Sequence, residues 1–361
     1  MNGRSAASRP ALKIGSLEEL ARVTHFNGLS VEHIERRAMP LEDKTEDPEE
    51  APFRSHMGFL GPGEKLLQVM EDDWQTVLHS LHTTHLELAY HIKALILASE
   101  NVKHTAELLY DLPKSYKAAL QRYFTSSPKL MPPKKSSLRQ LRGQPQPLRV
   151  TKDFFLGYQY SLFYNNNKRE AAQAKSSTNK KEKTKKDKPD TKDEEEADDE
   201  AQWKWCVEYK FKNLNNGLKV CIGGDATAGV VRYIQNYGFY EGGGPSNAYR
   251  VDPSVLVAVL TGQRNEGALR WAEERAQLKL TRLQREKEAW EEEYTKRKEK
   301  RLKEEEEGEE DQQDHKRKQS QPEEEELACL LGQVQLQTQR LAAKRLKYAA
   351  FLGKLQENSA L

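Results

Sequence analysis

The chain has 361 residues, of which 32% are charged and only 36% belong to the apolar and aromatic set; its mean hydropathy is -0.89, so a large part is expected to lie outside any packed core. Its 58 basic and 56 acidic side chains leave a net charge of +2, without the overall positive field of a dedicated nucleic-acid binder. The longest apolar runs, such as Leu95 to Ala98, fall far below the roughly 18–20 residues of a membrane-spanning helix, so no membrane crossing is expected.

Residues 1–15 are basic and free of acids but lack the apolar stretch of a secretory signal; a disordered end is the first reading and a mitochondrial presequence the second. Ser16-Leu17-Glu18-Glu19 has the spacing of a capping box, which predicts a helix ended by Gly28, and Ser30 caps a second one through Ala38. An acidic loop follows from Glu42 to Glu50. From Glu64 onward Leu66, Leu67, Met70, Trp74, Val77, Leu78 and Leu81 recur every three or four residues, the stripe of one helical face. Thr84 and Glu87 open a second helix, which carries Leu86, Ala89, Ile92, Leu95 and Ile96. Val102–Tyr110 and Ser115–Phe124 read as two further short helices parted at Pro113.

Residues 126–149, basic, proline-rich and free of acids, read as an extended linker. The aromatic segment around Phe154, Phe155, Tyr158, Tyr160, Phe163 and Tyr164 reads in part as strand, whereas Asn165–Ala201 is low in complexity and too polar to fold. Trp203–Phe211 alternates apolar and polar residues as a half-buried strand does, and Asn215-Asn216-Gly217 turns it into a partner strand through Leu218, Val220 and Ile222. Asp225 is expected to cap a helix closed by Gly238, and Asp252-Pro253 to open another that stops at Thr261-Gly262. Because a two-stranded hairpin is marginal alone, Asn165–Ala201 is read as an insertion within one domain.

The segment Tyr237-Gly238-Phe239-Tyr240-Glu241-Gly242, followed by Tyr249-Arg250-Val251-Asp252-Pro253, resembles a family of proteins of unknown function, and the likeness reaches back to Gly58-Phe59-Leu60-Gly61-Pro62-Gly63-Glu64. It covers about half the chain, implies that these pieces belong to one domain, and implies no activity.

In the last third, Leu269, Ala276, Leu283 and Trp290 fall seven apart, but Lys279, Glu286 and Glu293 occupy the positions taken as their companions, so a charged, solvated helix is expected. Pairs such as Glu292 with Lys296 and Glu293 with Arg297 would support it. After an acidic break, Leu327, Leu331, Val334, Thr338, Leu341, Arg345, Tyr348, Leu352 and Leu355 step by four and three, the seam of a coiled coil.

Few patterns carry chemistry. Gly223-Gly224-Asp225 follows a strand but lacks the spacing and the lysine of a phosphate cradle, and Asp225 would repel an anion. His79, His82 and His85 fall three apart, yet the helix break at Thr83-Thr84 spoils a common metal-binding face. Cys206, Cys221 and Cys329 form no C-x-x-C pair and leave an odd thiol, which argues against a disulfide framework and for a reducing, intracellular compartment. No catalytic residue, metal or cofactor is expected. Lys168-Arg169, then Lys180, Lys181, Lys183, Lys185 and Lys186, have the form of a bipartite nuclear import signal read by an import carrier, with a solvated tail as the plain alternative.

The expected fold is α+β and mostly helical, with a small antiparallel β element, a disordered charged insertion and a C-terminal coiled coil. Residues 1–52 are a flexible region with short helices, 53–262 the α+β domain, and 263–361 the charged helix, acidic break and coil. The expected function is a non-enzymatic adaptor or subunit of a nuclear complex, joining a protein partner or itself through Leu327, Leu331, Val334, Leu341, Tyr348, Leu352 and Leu355. The alternatives are a nucleic-acid-associated protein using the basic segments 129–149 and 168–188, and an enzyme or ligand-binding domain centred on 203–262, around Tyr237, Glu241, Arg250 and Asp252.

Overall fold

The computed structural model describes residues 16–40, 58–126, 138, 144–155, 160–165, 206–306 and 313–357, apart from a few single positions. The fold is α+β and mostly helical. The chain divides into two compact units, residues 1–268 and 269–361.

In the first unit, Ser16 caps α1 (Leu17–Leu20) by accepting from the Glu19 N–H at 3.1 Å. This helix is a single turn and does not run to Gly28. Asn27 and Gly28 both take positive φ, 50° and 84°, the pair a type I′ turn demands, and so fold the chain into a short ribbon, β1 (His25–Phe26) on β2 (Leu29–Ser30). Ser30 then caps α2 (Val31–Ala38). Leu20, Phe26, Ile34 and Ala38 are buried in one cluster with Leu66, Met70, Trp74, Phe163, Tyr233 and Phe239. Residues 16–40 therefore belong to the core and not to a flexible N-terminal region, because their few apolar side chains all land on one face of the larger body.

The stripe that begins at Leu66 forms α3 (Leu66–Gln75), which widens into a π turn at Thr76–Ser80; Thr84 caps α4 (His85–Ala98). Val102–Tyr110, expected to be helical, instead supplies β3 (Thr105–Tyr110), whose residues pair with β4 (Gln146–Phe155) from Thr105↔Thr151 to Tyr110↔Gln146. Non-local pairing here overrides local propensity. The helix expected at Ser115–Phe124 is α5 (Lys114–Ser126). β4 starts inside the stretch read as linker, with Pro147 at its second position, where a missing N–H is tolerated.

β4 pairs with β5 (Cys206–Asn213), and β5 with β6 (Lys219–Gly223), in an antiparallel sheet of order β3-β4-β5-β6. Residues on either side of the charged segment 166–205 are thus neighbours in one sheet. Its outer face is wet, with Glu107 on Arg149 at 2.6 Å and Asp153 on Lys210 at 2.6 Å.

The turn between β5 and β6 is longer than the two-residue Asn-Gly turn expected, and the asparagines have a second task. Asn213 donates to Val259 O and Asn216 to Ala258 O, both at 2.8 Å, satisfying carbonyls near the end of α7 (Pro253–Thr261). That helix begins with Asp252 as its cap and Pro253 in its first turn, and ends at Gly262. α6 (Val230–Tyr237) is capped by Gly229, not Asp225; the glycine's φ of 70° makes the turn four residues later, and Gly238 closes the helix at φ 65°. α7 packs on β5, β6 and the π turn, and α4 packs on α6.

Two long helices complete the chain, α8 (Glu266–Glu306) and α9 (Gln313–Glu357). Along α8 the expected Glu292–Lys296 and Glu293–Arg297 pairs form at 2.6 and 2.8 Å.

Candidate functional site

In the first unit, the polar residues converge where the α6–α7 connection lies against α3 and the start of α4. The backbone reverses at Gly238, whose left-handed φ and lack of a side chain let Trp74 come close enough to donate its indole N–H to Gly238 O at 3.2 Å; a Cβ there would collide with the indole nitrogen. The Trp74 ring lies 4.5 Å from that of His85, and His85 Nδ1 shares a 2.9 Å hydrogen bond with the Tyr240 hydroxyl. Arg250 grips Asp73 with both terminal nitrogens, at 2.9 and 2.5 Å, donates to Gly242 O, and reaches Asp252 at 3.5 Å. Asp252 also accepts from the Val255 N–H at the start of α7. One guanidinium thus ties α3, the loop and α7 together.

Burial dominates the electrostatics. It lowers His85 to about 3, so this imidazole is neutral at ordinary pH. Burial likewise raises Asp73 to about 6 against the opposing charge of Arg250. Arg250 loses hydration too, but the Asp73 carboxylate outweighs that loss and holds the guanidinium charged. Glu241, only 2% exposed, has a φ of 58°, and burial pushes its carboxyl well above the usual range. Its Oε1 has no hydrogen-bond partner among the described residues. A strained, buried acid of this kind marks a candidate site.

Beside the network opens a cleft of about 420 Å³, lined among others by Glu64, Lys65, Gln68, Asp72, Gly243 and Arg250, a volume within the range of small-molecule sites. Its lining is polar, but its strongest cation is already saturated by Asp73, and Lys65 is drawn to Glu35 at 3.3 Å. Tyr237, grouped with this region in the sequence reading, points elsewhere and stacks on Phe163 at 3.9 Å. The cleft residues of α3 could not have been joined to Arg250 from sequence, because 177 positions separate Asp73 from Arg250.

In the second unit, part of the seam expected from sequence is covered. On α8 the partly or fully covered positions include Leu269, Ala276, Leu280, Leu283, Lys287, Trp290, Tyr294 and Arg297, and also Trp271, Ala272, Arg275, Thr281, Gln284, Glu286, Glu291 and Arg301. Among them Ala276, Leu280, Leu283, Lys287, Trp290, Tyr294 and Arg297 step by four and three; of the companions inferred from sequence, Lys279 and Glu293 are exposed and Glu286 is partly covered. The companion sites simply lie one residue further along. On α9 the covered positions are Leu327, Leu330, Gln333, Val334, Gln337, Leu341, Tyr348, Phe351 and Gly353, with Leu330, Gln337 and Leu341 buried; Leu331 is 41% exposed, and Thr338 and Arg345 are exposed as well. Leu352 and Leu355 have side chains outside the described residues. Arg297 forms an ion pair with Glu326, which sets α8 and α9 as an antiparallel hairpin. At equal rise along both helices, this contact puts Trp290 level with Gln333, Leu283 with Arg340, and Ala276 with Lys347, each one residue before the covered Val334, Leu341 and Tyr348.

The import-signal residues Lys168, Arg169, Lys180, Lys181, Lys183, Lys185 and Lys186 lie outside the described residues, as does the basic segment 129–137. His79 and His82 are exposed while His85 is buried, and His91, also buried, shares a hydrogen bond with the Tyr110 hydroxyl at 2.9 Å. Among the described residues, no three His, Cys, Asp or Glu side chains gather as a metal site, and no helix is long and apolar enough to cross a membrane. Comparison with protein-family models, with curated proteins and with solved structures finds no match.

Proposed function

We propose that the protein is a non-enzymatic interaction adaptor, a subunit of a nuclear complex that assembles through its C-terminal helical unit. The observation that carries this reading is the chemistry of α9. From Leu327 to Gln356 the sequence contains no acid, and Arg340, Lys344, Arg345 and Lys347 are exposed with no ion pair among the described residues. Leu331 and Leu346 are exposed on the same stretch. Such a helix presents both charge and apolar area to a partner. The test is affinity purification with mass spectrometry of the nuclease-treated full-length chain beside a chain ending at Gln321. Partners lost with α9 support the adaptor, and an identical set from both chains refutes it. The nuclear part of the reading rests on the two lysine-rich clusters; a fluorescent fusion with Lys180, Lys181, Lys183, Lys185 and Lys186 changed to alanine loses nuclear enrichment if that part is right.

A second reading, a ligand-binding domain, draws on the cleft beside Arg250. Gly243→Ala would place a Cβ 2.8 Å from Glu64 Oε1 and 2.9 Å from Val69 Cγ2. A small molecule that raises the melting temperature of the wild type, and not of this variant, would favour it.

A further inference from the structure

α9 carries two heptad stripes, and only one of them is covered. The second runs through Ala328, Leu331, Gln335, Thr338, Ala342, Arg345 and Ala349, all exposed, about a quarter-turn round the helix from the first. Beside it stands Leu346, 74% exposed. The hairpin register set by Arg297 and Glu326 brings Leu278 of α8, itself 42% exposed, level with Arg345, one residue from Leu346.

The cations Arg340, Lys344, Arg345 and Lys347 form no ion pair among the described residues. The part of α8 level with them, Ala276–Leu283, contains Lys279 and Arg282 and no acid. The acids of α8 gather further along, at Glu286, Glu288, Glu291, Glu292 and Glu293, with Lys287 as the one base among them.

We infer that a second copy of this chain docks antiparallel on the exposed stripe of α9, in a two-fold dimer whose axis passes between Thr338 and Gln339. The inference rests on the C-terminal unit being the docking element and names its occupant. Reversing α9 about that point sets Leu331 opposite Leu346, Gln335 opposite Ala342, and Ala328 opposite Ala349. The stripe is thus complementary to itself, as a two-fold interface requires. Arg345 falls opposite Gly332, where nothing lies within 4 Å of a built Cβ, leaving room for the long side chain. The same reversal moves Arg340–Lys347 of one copy level with Glu286–Glu293 of the other. Glu286, Glu291, Glu292 and Glu293 also pair along α8, with Arg282, Lys287, Lys296 and Arg297, but the segment from Glu286 to Glu293 carries five acids to one base, so the cations of the other copy meet an excess of negative charge and pairing has a preferred direction.

Sedimentation equilibrium of the full-length chain tests this. A dimer is expected; Leu331→Asp with Leu346→Asp weakens it by about 100-fold or more, since two apolar anchors become buried charges. Because both residues are exposed, helicity measured by circular dichroism should not change. Orientation is read separately in a chain with Cys206, Cys221 and Cys329 changed to serine. Thr338→Cys, beside the axis, cross-links to a covalent dimer under mild oxidation, and Gln333→Cys, on another face, does not. A wild type that stays monomeric at about 100 μM, a dimer indifferent to the double aspartate variant, or preferential cross-linking at position 333 overturns the proposal. If the chain is monomeric while other partners are still lost on truncation at Gln321, self-association fails and the adaptor reading stands.

Discussion

Removing the Arg250 guanidinium should destabilise the first unit more than any other single polar change, and a double-mutant cycle with Asp73 measures why. In Arg250→Met the Asp73 carboxyl keeps its buried position without a cation, which costs about 3–5 kcal/mol, and Gly242 O loses its donor, a further cost of about 1–3 kcal/mol. Asp73→Asn leaves the guanidinium with Gly242 O and with Asp252 at 3.5 Å, and costs toward the lower end of the ion-pair range. Two near-parallel bonds at 2.9 and 2.5 Å link the partners, so the double variant should be more stable than the sum of the single losses by about 2–3 kcal/mol. The assay is native-state hydrogen exchange of peptides from Leu66 to Ala98, which reports opening of this unit whatever the long helices do. In Arg250→Met, Asp73 loses the charge that opposes its rise, so its proton is held to higher pH; relative to the wild type, whose Asp73 is raised to about 6, that variant should lose further stability as pH climbs above about 6. Additive single losses, with a coupling below about 0.5 kcal/mol, would refute the account of Arg250 as the tie between α3 and α7.

Burial lowers His91 to about 3, so the folded state holds fewer protons than the unfolded chain between that value and the ordinary 6.5. The resulting stability is complete above about 6.5 and falls as pH drops toward 3, by about 2 kcal/mol for one histidine at pH 5; Glu241 and Asp73, both raised, contribute with the opposite sign. Comparing His91→Gln with the wild type by melting from pH 8 to 5 isolates the histidine, and parallel curves would contradict its buried neutral state. Gly238→Ala and Gly242→Ala combine positive φ with a Cβ driven into Trp74 and Phe59 O respectively, and should each cost more than about 2 kcal/mol. Gly223→Ala, with nothing within 4 Å, should change little, and equal losses in urea titration would refute the steric argument. Leu341→Ala, buried in the hairpin seam, should cost about 2–4 kcal/mol against less than about 1 kcal/mol for Leu331→Ala, read by exchange protection along α9; equal losses would place the seam elsewhere.

Local punctuation in this chain was legible and long-range pairing was not. Ser16, Ser30, Thr84 and Asp252 each cap the helix their spacing announces, because a cap needs only neighbours three residues away. Thr105–Tyr110 failed as a helix because its strand character comes from β4, some forty positions on. The α9 positions Leu327, Val334, Leu341 and Tyr348 were found by their seven-residue period, but their companions are Leu330 and Gln337, on the other flank of the stripe. Gln337 is polar and Leu330 and Leu331 are adjacent, so hydrophobicity alone could not choose the side. On α8 the same one-step ambiguity hid Leu280 and Tyr294. For the polar site, Glu241, Arg250 and Asp252 were visible as a cluster in sequence; Asp73 and His85 were not, since only the folded core brings α3 and α4 to that loop.

Phe163 sits at the centre of the aromatic cluster, with Phe26 at 5.5 Å, Tyr237 at 3.9 Å and Phe239 at 5.8 Å, while Asn27 donates to Phe163 O at 3.0 Å and Asn165 donates to Asn27 O at 3.1 Å. This clamp fixes the chain just before residue 166, and β5 fixes it again from Cys206. The ends of the intervening stretch are therefore held by contacts that do not involve it. Closure entropy grows only with the logarithm of length, about 0.6 kcal/mol for each doubling. Insertions and deletions between these two anchors are consequently nearly free for the fold, and the charged segment can lengthen, shorten or change composition over evolutionary time while the domain around it stays the same.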